Sequence, residues 1–404
     1  MTDRLRGSSP VGEGAAYGRD QILSLAAVIA SISIVGMTFG ITSPLLSLIL
    51  ERQGVSYTLI SVNSAMAAAG SIAFAPLLPS LVRRFGTANV LLASIAMILV
   101  SLAILPMFPN FWAWFAIRFL YGMGGGALFI LSEAWINQIV PDAQRGRLLG
   151  LYVTVMSIGL AVGPLILIVV GTEGLAPFLV GIVVVALGSI PVILARGSAP
   201  PIATRSSISL LRYIRIAPSG TLAGLTLGFI ETLALYLLPL YALRRGLEGD
   251  LAVLPVTVFV TGAIVIPLFF GWLADRWDRR TVLAIAATIA GLSVSAYLFV
   301  ATGSIGFWIA TFIWGGTATA IYSVGLTLLG QRFKGADLVA ASAVIVTMYS
   351  IGTLVGPIVT GAAMDAWDVS ALPIVAAAVS LIYAAIVVAR RFAQGSVGEA
   401  RPAS

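Results

Sequence analysis

The stretch T-V-M-S-I-G-L-A-V-G-P, residues 154–164, returns as T-M-Y-S-I-G-T-L-V-G-P at residues 347–357, with seven of eleven positions identical at an offset of 193. At the same offset Phe119, Gly122 and Gln138 fall on Phe312, Gly315 and Gln331. Chance resemblance between apolar segments seldom keeps one offset across two of them, so the chain reads as a duplication. The longest polar break, Arg196 to Ala217, lies between the copies and carries P-P-I-A-T-R-S-S with four arginines.

The copies are too apolar for water. Of 404 residues 59% are hydrophobic and 10% charged, and the mean hydropathy is +1.05, whereas soluble domains carry roughly 25% charged residues. A helix needs about 20 apolar residues to cross the hydrocarbon. Twelve such runs are read at 21–50, 57–82, 88–106, 110–139, 147–171, 175–195, 218–244, 251–273, 281–301, 304–332, 337–364 and 370–391. The expected architecture is an all-α integral membrane protein of twelve transmembrane helices in two pseudo-symmetric six-helix halves. The halves are residues 21–195 and 218–391, joined by a linker at 196–217 and flanked by tails at 1–20 and 392–404. Residues 1–20 lack the apolar core and cleavage site of a secretory signal, so the first run is read as a retained span.

Charge sets the orientation. Nineteen of the 23 basic residues fall in the tails and every second loop, three (Arg52, Arg244, Arg245) in the other loops, and Arg118 within a span. The positive-inside rule then puts both termini in the cytoplasm of a bacterial inner membrane. This scatter of single arginines is not a nucleic-acid-binding face. The chain has no Cys and no His, which removes thiol nucleophiles and the usual metal ligands and leaves Asp and Glu to carry protons. No cofactor or metal is expected.

With the repeat in place, three motifs resemble the major facilitator superfamily. G-W-L-A-D-R-W-D-R-R, Gly271 to Arg280, is similar to the family's loop motif at Gly271, Asp275, Arg276 and Arg279 or Arg280, with Asp278 where a later glycine is usual. Arg118-x-x-x-Gly122-x-Gly124 resembles the fourth-span motif. Gly150, Gly159 and Gly163-Pro164 resemble the fifth-span motif of proton-coupled exporters, with Leu167-Ile168 in place of its closing glycines. The S-E-A-W run at Ser132–Trp135 and G-W-L-A-D-R resemble the bacterial YcaD-type branch. The resemblance covers about residues 20 to 392 and implies the family's fold and alternating access. It also implies that Asp275 latches near the start of the fifth span, beside Arg145, with Arg276 and Arg279 in the same network. The first-half counterpart, Pro79 to Asn89, has lost the acid. Asp250, in an opposite loop, is expected to be idle.

Charge inside a span costs roughly 2.5–3.5 kcal/mol on insertion scales and usually serves a function. Arg118, Glu133 and Glu231 are the clear cases: Arg118 is read as serving structure and coupling rather than direct substrate binding, and Glu133 either as a contact for substrate or protons or as a brace to the nearby cytoplasmic loops. Arg118 and Glu133 lie about 60° apart on one helix face and about 22 Å apart along it, too far for a direct bond. Glu231 stands mid-way along the seventh span, with either proton coupling or a structural bond to a neighbour open to it. Aligning Pro44 with Pro239 places Gly36 opposite it. Gly159, Gly163 and Pro164, and their mates Gly352, Gly356 and Pro357, suit close helix packing or a pivot between the halves. Asn63, Thr317 and Tyr322 are read as cavity-lining, and Trp112, Trp114, Trp308 and Trp314 as interfacial anchors.

The expected function is secondary transport of a small organic solute, coupled to protons, with export favoured by the fifth-span resemblance and uptake of an organic anion as the alternative. The expected partners are solute, protons and lipid, and the protein is read as a monomer and not as an enzyme. A membrane-embedded enzyme, or a scramblase or sensor on a transporter scaffold, is the more distant class.

Overall fold

The computed structural model describes residues 19–108, 110–140, 142–199, 216–247, 249–333 and 335–399; within these, the side chains of 142–143, 145–146, 335–336, 338–340 and 392–399 are outside the description. Twelve helices are long and apolar enough to span a membrane. They are α1 (Arg19–Arg52), α2 (Tyr57–Phe85), α3 (Thr87–Met107), α4 (Phe111–Ile139), α5 (Arg147–Val170), α6 (Ala176–Leu194), α7 (Pro218–Arg244), α8 (Gly249–Ala274), α9 (Arg279–Leu298), α10 (Ile305–Arg332), α11 (Ala341–Ala366) and α12 (Ala371–Arg391). In lipid every backbone N–H and C=O must be bonded within the segment, which is why the apolar runs become helices.

Packing repeats in the two halves. Helix α1 lies on α5 as α7 lies on α11, α2 on α4 as α8 on α10, and α3 on α6 as α9 on α12. Glycines set the closeness of these pairs. A Cβ on Gly159 or Gly163 would stand 2.8 Å from Met37 N or 2.5 Å from the carbonyl carbon of Gly40, and one on Gly352 would stand 2.2 Å from the Leu225 carbonyl oxygen. Gly356 faces Phe229 in the same way. These glycines therefore bring helices together within each half.

The same contacts expose a one-residue irregularity. Gly36 meets Met156 and Gly228 meets Tyr349, its mate at offset 193, so α1 and α7 correspond here at an offset of 192. Further along, Glu51 and Arg244 correspond at 193. The extra residue is absorbed by a π-helical turn at Leu233–Leu237, directly before Pro239. Such a turn widens the helix by one residue, and the proline, which has no N–H to give, makes the ordinary bond dispensable there. The counterpart of Glu231 is thus Phe39 and not Gly36: Pro44 and Pro239 stand 195 apart, three more than the offset of 192 that the packing gives here, so the two prolines are not mates.

The halves meet chiefly through two helix pairs, α2 with α11 and α5 with α8, and also through α1 with α7. Between them lies the candidate site.

Candidate functional site

At the face away from the termini, the ends of α1, α2 and α5 are bonded to those of α7, α8 and α11. Glu51, buried, receives Nε and Nη2 of Arg244. Asp365, ending α11, accepts the backbone N–H groups of Tyr57 and Thr58 at 2.9 and 2.7 Å and the Thr58 hydroxyl at 2.6 Å. It therefore sits on the free N–H groups that open α2, where a helix stabilises a carboxylate by about 0.3–1 kcal/mol. Asp250 Oδ1 accepts the N–H and hydroxyl of Thr172 at 2.9 and 2.6 Å, while Arg52 donates to the same threonine. Deeper in, the Thr257 hydroxyl donates to the Ala161 carbonyl at 2.8 Å. Asp250 is therefore not idle: it ties the second half to the first.

These bonds obey the duplication. Glu51 plus 193 is Arg244, so each is the other's mate; Thr172 and Asp365 are mates, as are Tyr57 and Asp250. One bond lies on the pseudo-twofold axis and the other two are exchanged by it, with the acid on opposite partners.

Below this seal the side chains of interest face the inter-half space. Arg118 is 1% exposed, and its guanidinium lies 5.2 Å from the Tyr236 ring, across the half boundary, with none of its three nitrogens hydrogen bonded. A stacked aromatic face attracts the cation but satisfies no N–H. Asn63 is equally buried with Nδ2 unpaired. Gly122 meets Ala67, and Arg118 and Asn63 stand four residues before these on α4 and α2, so the two orphan donors share one level. Tyr236, within the π-helical turn, was not singled out by sequence; a lone tyrosine in an apolar run carries no signal of its partner.

Glu231, partly exposed, accepts the Tyr349 hydroxyl at 2.7 Å. The Tyr349 ring packs edge-on to Tyr322 at 6.4 Å, and both Glu231 and Glu133 lie within electrostatic reach of the Tyr322 hydroxyl. The order Glu133, Tyr322, Tyr349, Glu231 thus runs inward from the termini-bearing side. Thr317 does not line this space: it is buried and its hydroxyl is spent on the Ile313 carbonyl at 2.7 Å. Trp314 and Trp114 are buried as well, Trp314 against Phe259 at 5.0 Å, leaving Trp112, 69% exposed, as the clearest anchor.

At the termini-bearing face the bonds described for the loop motif all lie within its own half. Asp275 is exposed and its described ion partner is Arg279 of its own half, at 4.0 Å. Arg276 stacks on Trp272 at 4.1 Å, and Arg279 donates to the Thr327 carbonyl at 2.8 Å. A Cβ on Gly150, Gly271 or Gly330 would meet nothing within 4 Å, so the facing ends of α5, α8 and α10 stand clear. The Arg145 side chain lies outside the described residues. Asp278, in the place of the motif's glycine, caps α9: it accepts the Thr281 N–H at 3.0 Å and hydroxyl at 2.8 Å and faces Arg391 at 3.7 Å. Partial burial works against its charge, but these bonds and Arg391 prevail and hold its carboxyl below the ordinary value. With its described bonds between the halves on the far face and none among the described residues here, the structure fits the state open toward the termini.

The chain matches the profile of the Major Facilitator Superfamily over residues 28–257 and 220–402. It is 25% identical over 350 residues to the uncharacterized MFS-type transporter YfkF of Bacillus subtilis (strain 168), covering 83% of this chain and 88% of that one. To the uncharacterized MFS-type transporter YcaD of Escherichia coli (strain K12 / DH10B) it is 25% identical over 365 residues, covering 88% and 93%. Among solved structures it resembles the nucleoside transporter NupG (TM-score 0.70, 12% identity, 91% and 98% covered) and the D-xylose-proton symporter (TM-score 0.69, 18% identity, 91% and 96% covered). At these identities the likeness is one of fold.

Proposed function

The chain belongs to the major facilitator superfamily and is a secondary transporter, not an enzyme, and we propose that it exports a small organic solute by alternating access in exchange for protons. The observation that carries the reading is Glu231, a carboxyl at mid-span whose described hydrogen-bond partner is a neutral tyrosine hydroxyl and not a cation. An acid so placed can be neutral or charged as its surroundings change, which a structural ion pair cannot. Tyr349 and Tyr322 extend it toward Glu133 and the open face, a path for the proton. The seal of Glu51, Asp250 and Asp365 closes one side, and Asp275, docking by resemblance near Arg145, closes the other in the alternate state, with Arg276 released from Trp272 to join it. The positive-inside bias puts the open face in the cytoplasm of a bacterial inner membrane, where the protein acts as a monomer.

A second reading, proton-linked uptake of an organic anion, is favoured by the orphan donors of Arg118 and Asn63. A buried guanidinium does not deprotonate and demands an anion or strong acceptors, and a carboxylate lodged between α2, α4 and α7 would meet both groups.

The test is proton movement in liposomes holding purified protein and a pH-sensitive dye, with organic cations, anions and neutral compounds added outside. Exchange makes the lumen more alkaline as solute enters and protons leave; symport makes it more acid. Either response should vanish in Glu231→Gln. Solute uptake that leaves the dye unmoved, and that Glu231→Gln does not change, overturns proton coupling.

A further inference from the structure

Away from the inter-half space, the second half carries two adjoining cavities at its termini-bearing end. One, about 390 Å³, is lined by Arg280 at the start of α9, Gln331 and Arg332 at the end of α10, Arg390 at the end of α12, and residues 216–220 at the start of α7. The other, about 290 Å³, shares Arg280 and runs between α9 and α12 along Ala284, Ile285, Thr288, Ile289 and Val388. From Arg280 to Ile289 the helix rises about 13 Å, from the membrane surface into hydrocarbon.

The first cavity is cationic and unneutralised. Arg280, Arg332 and Arg390 form no ion pair among the described residues, whereas their neighbours are engaged, Arg279 with Asp275 and Arg391 with Asp278. The start of α7 adds the N–H groups of Ser219 and Gly220, since Ala217 provides no side-chain cap and Pro218 no donor. Nor can the linker supply the missing charge, because residues 196–217 contain no Asp or Glu. Three guanidinium groups converging on one space repel one another unless an anion joins them, and Arg matches phosphate with paired donors. A soluble phosphate would use only the first cavity. The continuous apolar groove, open at membrane depth and meeting the charged cavity at Arg280, fits a ligand with an anionic head and a hydrocarbon tail.

We propose that the ends of α7, α9, α10 and α12 form a binding site for one anionic phospholipid, its phosphate held by Arg280, Arg332 and Arg390 and an acyl chain lying between α9 and α12. Basic pockets between helices at a membrane surface are suited to such head groups, each arginine strengthening binding about fivefold at moderate salt. Because α7 bears Glu231 and α9 follows the Asp275 loop, the lipid would brace the elements that move against the first half.

The experiment is native mass spectrometry of the detergent-purified full chain released from micelles containing equal phosphatidylglycerol and phosphatidylcholine. The expected result is one retained phosphatidylglycerol, preferred at least about tenfold. Arg280→Gln/Arg332→Gln/Arg390→Gln should bring the two lipids to parity, while Arg83→Gln/Arg84→Gln, on the same face of the other half, should keep the preference. Thr288→Trp, which fills the groove and leaves the arginines, should lower retention too, and it remains informative if the triple variant does not fold. Parity in the unaltered protein, or equal loss in the Arg83/Arg84 variant, overturns the site. Thermal stabilisation by inorganic phosphate equal to that by phosphatidylglycerol would make it a soluble-anion site and overturn the lipid assignment.

Discussion

Replacing Glu51 by Gln strikes the bond at the centre of the seal. Glu51 is 5% exposed and Arg244 57% exposed at the side chain, so the carboxylate has no recourse to water in the sealed state whereas the guanidinium does. Hydrogen bonds to a charged group contribute about 1.5–3 kcal/mol and neutral ones about 0.5–1.5 kcal/mol. Gln still accepts from Arg244, and the exposed guanidinium screens part of the attraction, so the sealed state should lose about 1–2 kcal/mol relative to the state open on the far face. That is about five- to thirtyfold in population. The chain contains no Cys, so Gln53→Cys and Trp367→Cys can carry spin labels on opposite halves without background. Pulsed electron spin resonance on this pair should show the longer separation growing in Glu51→Gln. A folded variant with an unchanged distance distribution refutes the assignment of the seal.

Asp250→Asn should move the same distance distribution in the same direction by a smaller factor, about two- to fivefold for a half-buried charge-assisted bond to a neutral partner, read with the same labels. Gly122→Ala drives a Cβ to 1.9 Å from the Ala67 carbonyl oxygen and should lower the melting temperature at a cost of about 1–3 kcal/mol, while Gly150→Ala, which meets nothing, should be neutral or stabilising, both by differential scanning fluorimetry. Asp278→Ala should cost about 1 kcal/mol as a lost helix cap. Because its carboxyl is held below the ordinary value, its contribution is complete above that value and fades as pH falls through the lowered one. The melting temperatures of Asp278→Ala and the unaltered protein should therefore differ near pH 7 and draw together as the pH falls below the ordinary carboxylate value; a constant gap refutes the assignment.

The spans were legible because lipid imposes length and apolarity on each segment separately, and the duplication was legible because α5 and α11 keep one offset along their length. The correspondence of α1 with α7 was not, because Pro44 and Pro239 look like mates but are not, and a π-helical turn shifts the register by a further residue without changing composition. Motif spacing pointed to Asp275, whose described ion partner is Arg279 of its own half, and the partner that the resemblance implies, Arg145, has its side chain outside the described residues. Asp250 read as a solvated loop charge because its partner, Thr172, is 78 residues away. Thr317 and Trp314 read as lining and anchor from their chemistry, yet a helical hydroxyl can satisfy itself on the preceding turn, and the indole finds its place among other rings. Glu231 and Arg118 stood out as charges inside spans; Tyr349, 118 residues from Glu231, and Tyr236 could be found only by folding.

The bond between Glu51 and Arg244 has a consequence for how such a chain can be assembled. In a dimer of identical subunits, a residue on the twofold axis meets its own copy. Two copies of the first half joined on this axis would press Glu51 against Glu51, and two copies of the second would press Arg244 against Arg244. Like charges at such a contact repel, and neither homodimer could close its far face. The seal depends on the two halves having diverged at this position, as they also have at Thr172 and Asp365 and at Tyr57 and Asp250, and a single continuous chain guarantees that each half always meets the other and never itself.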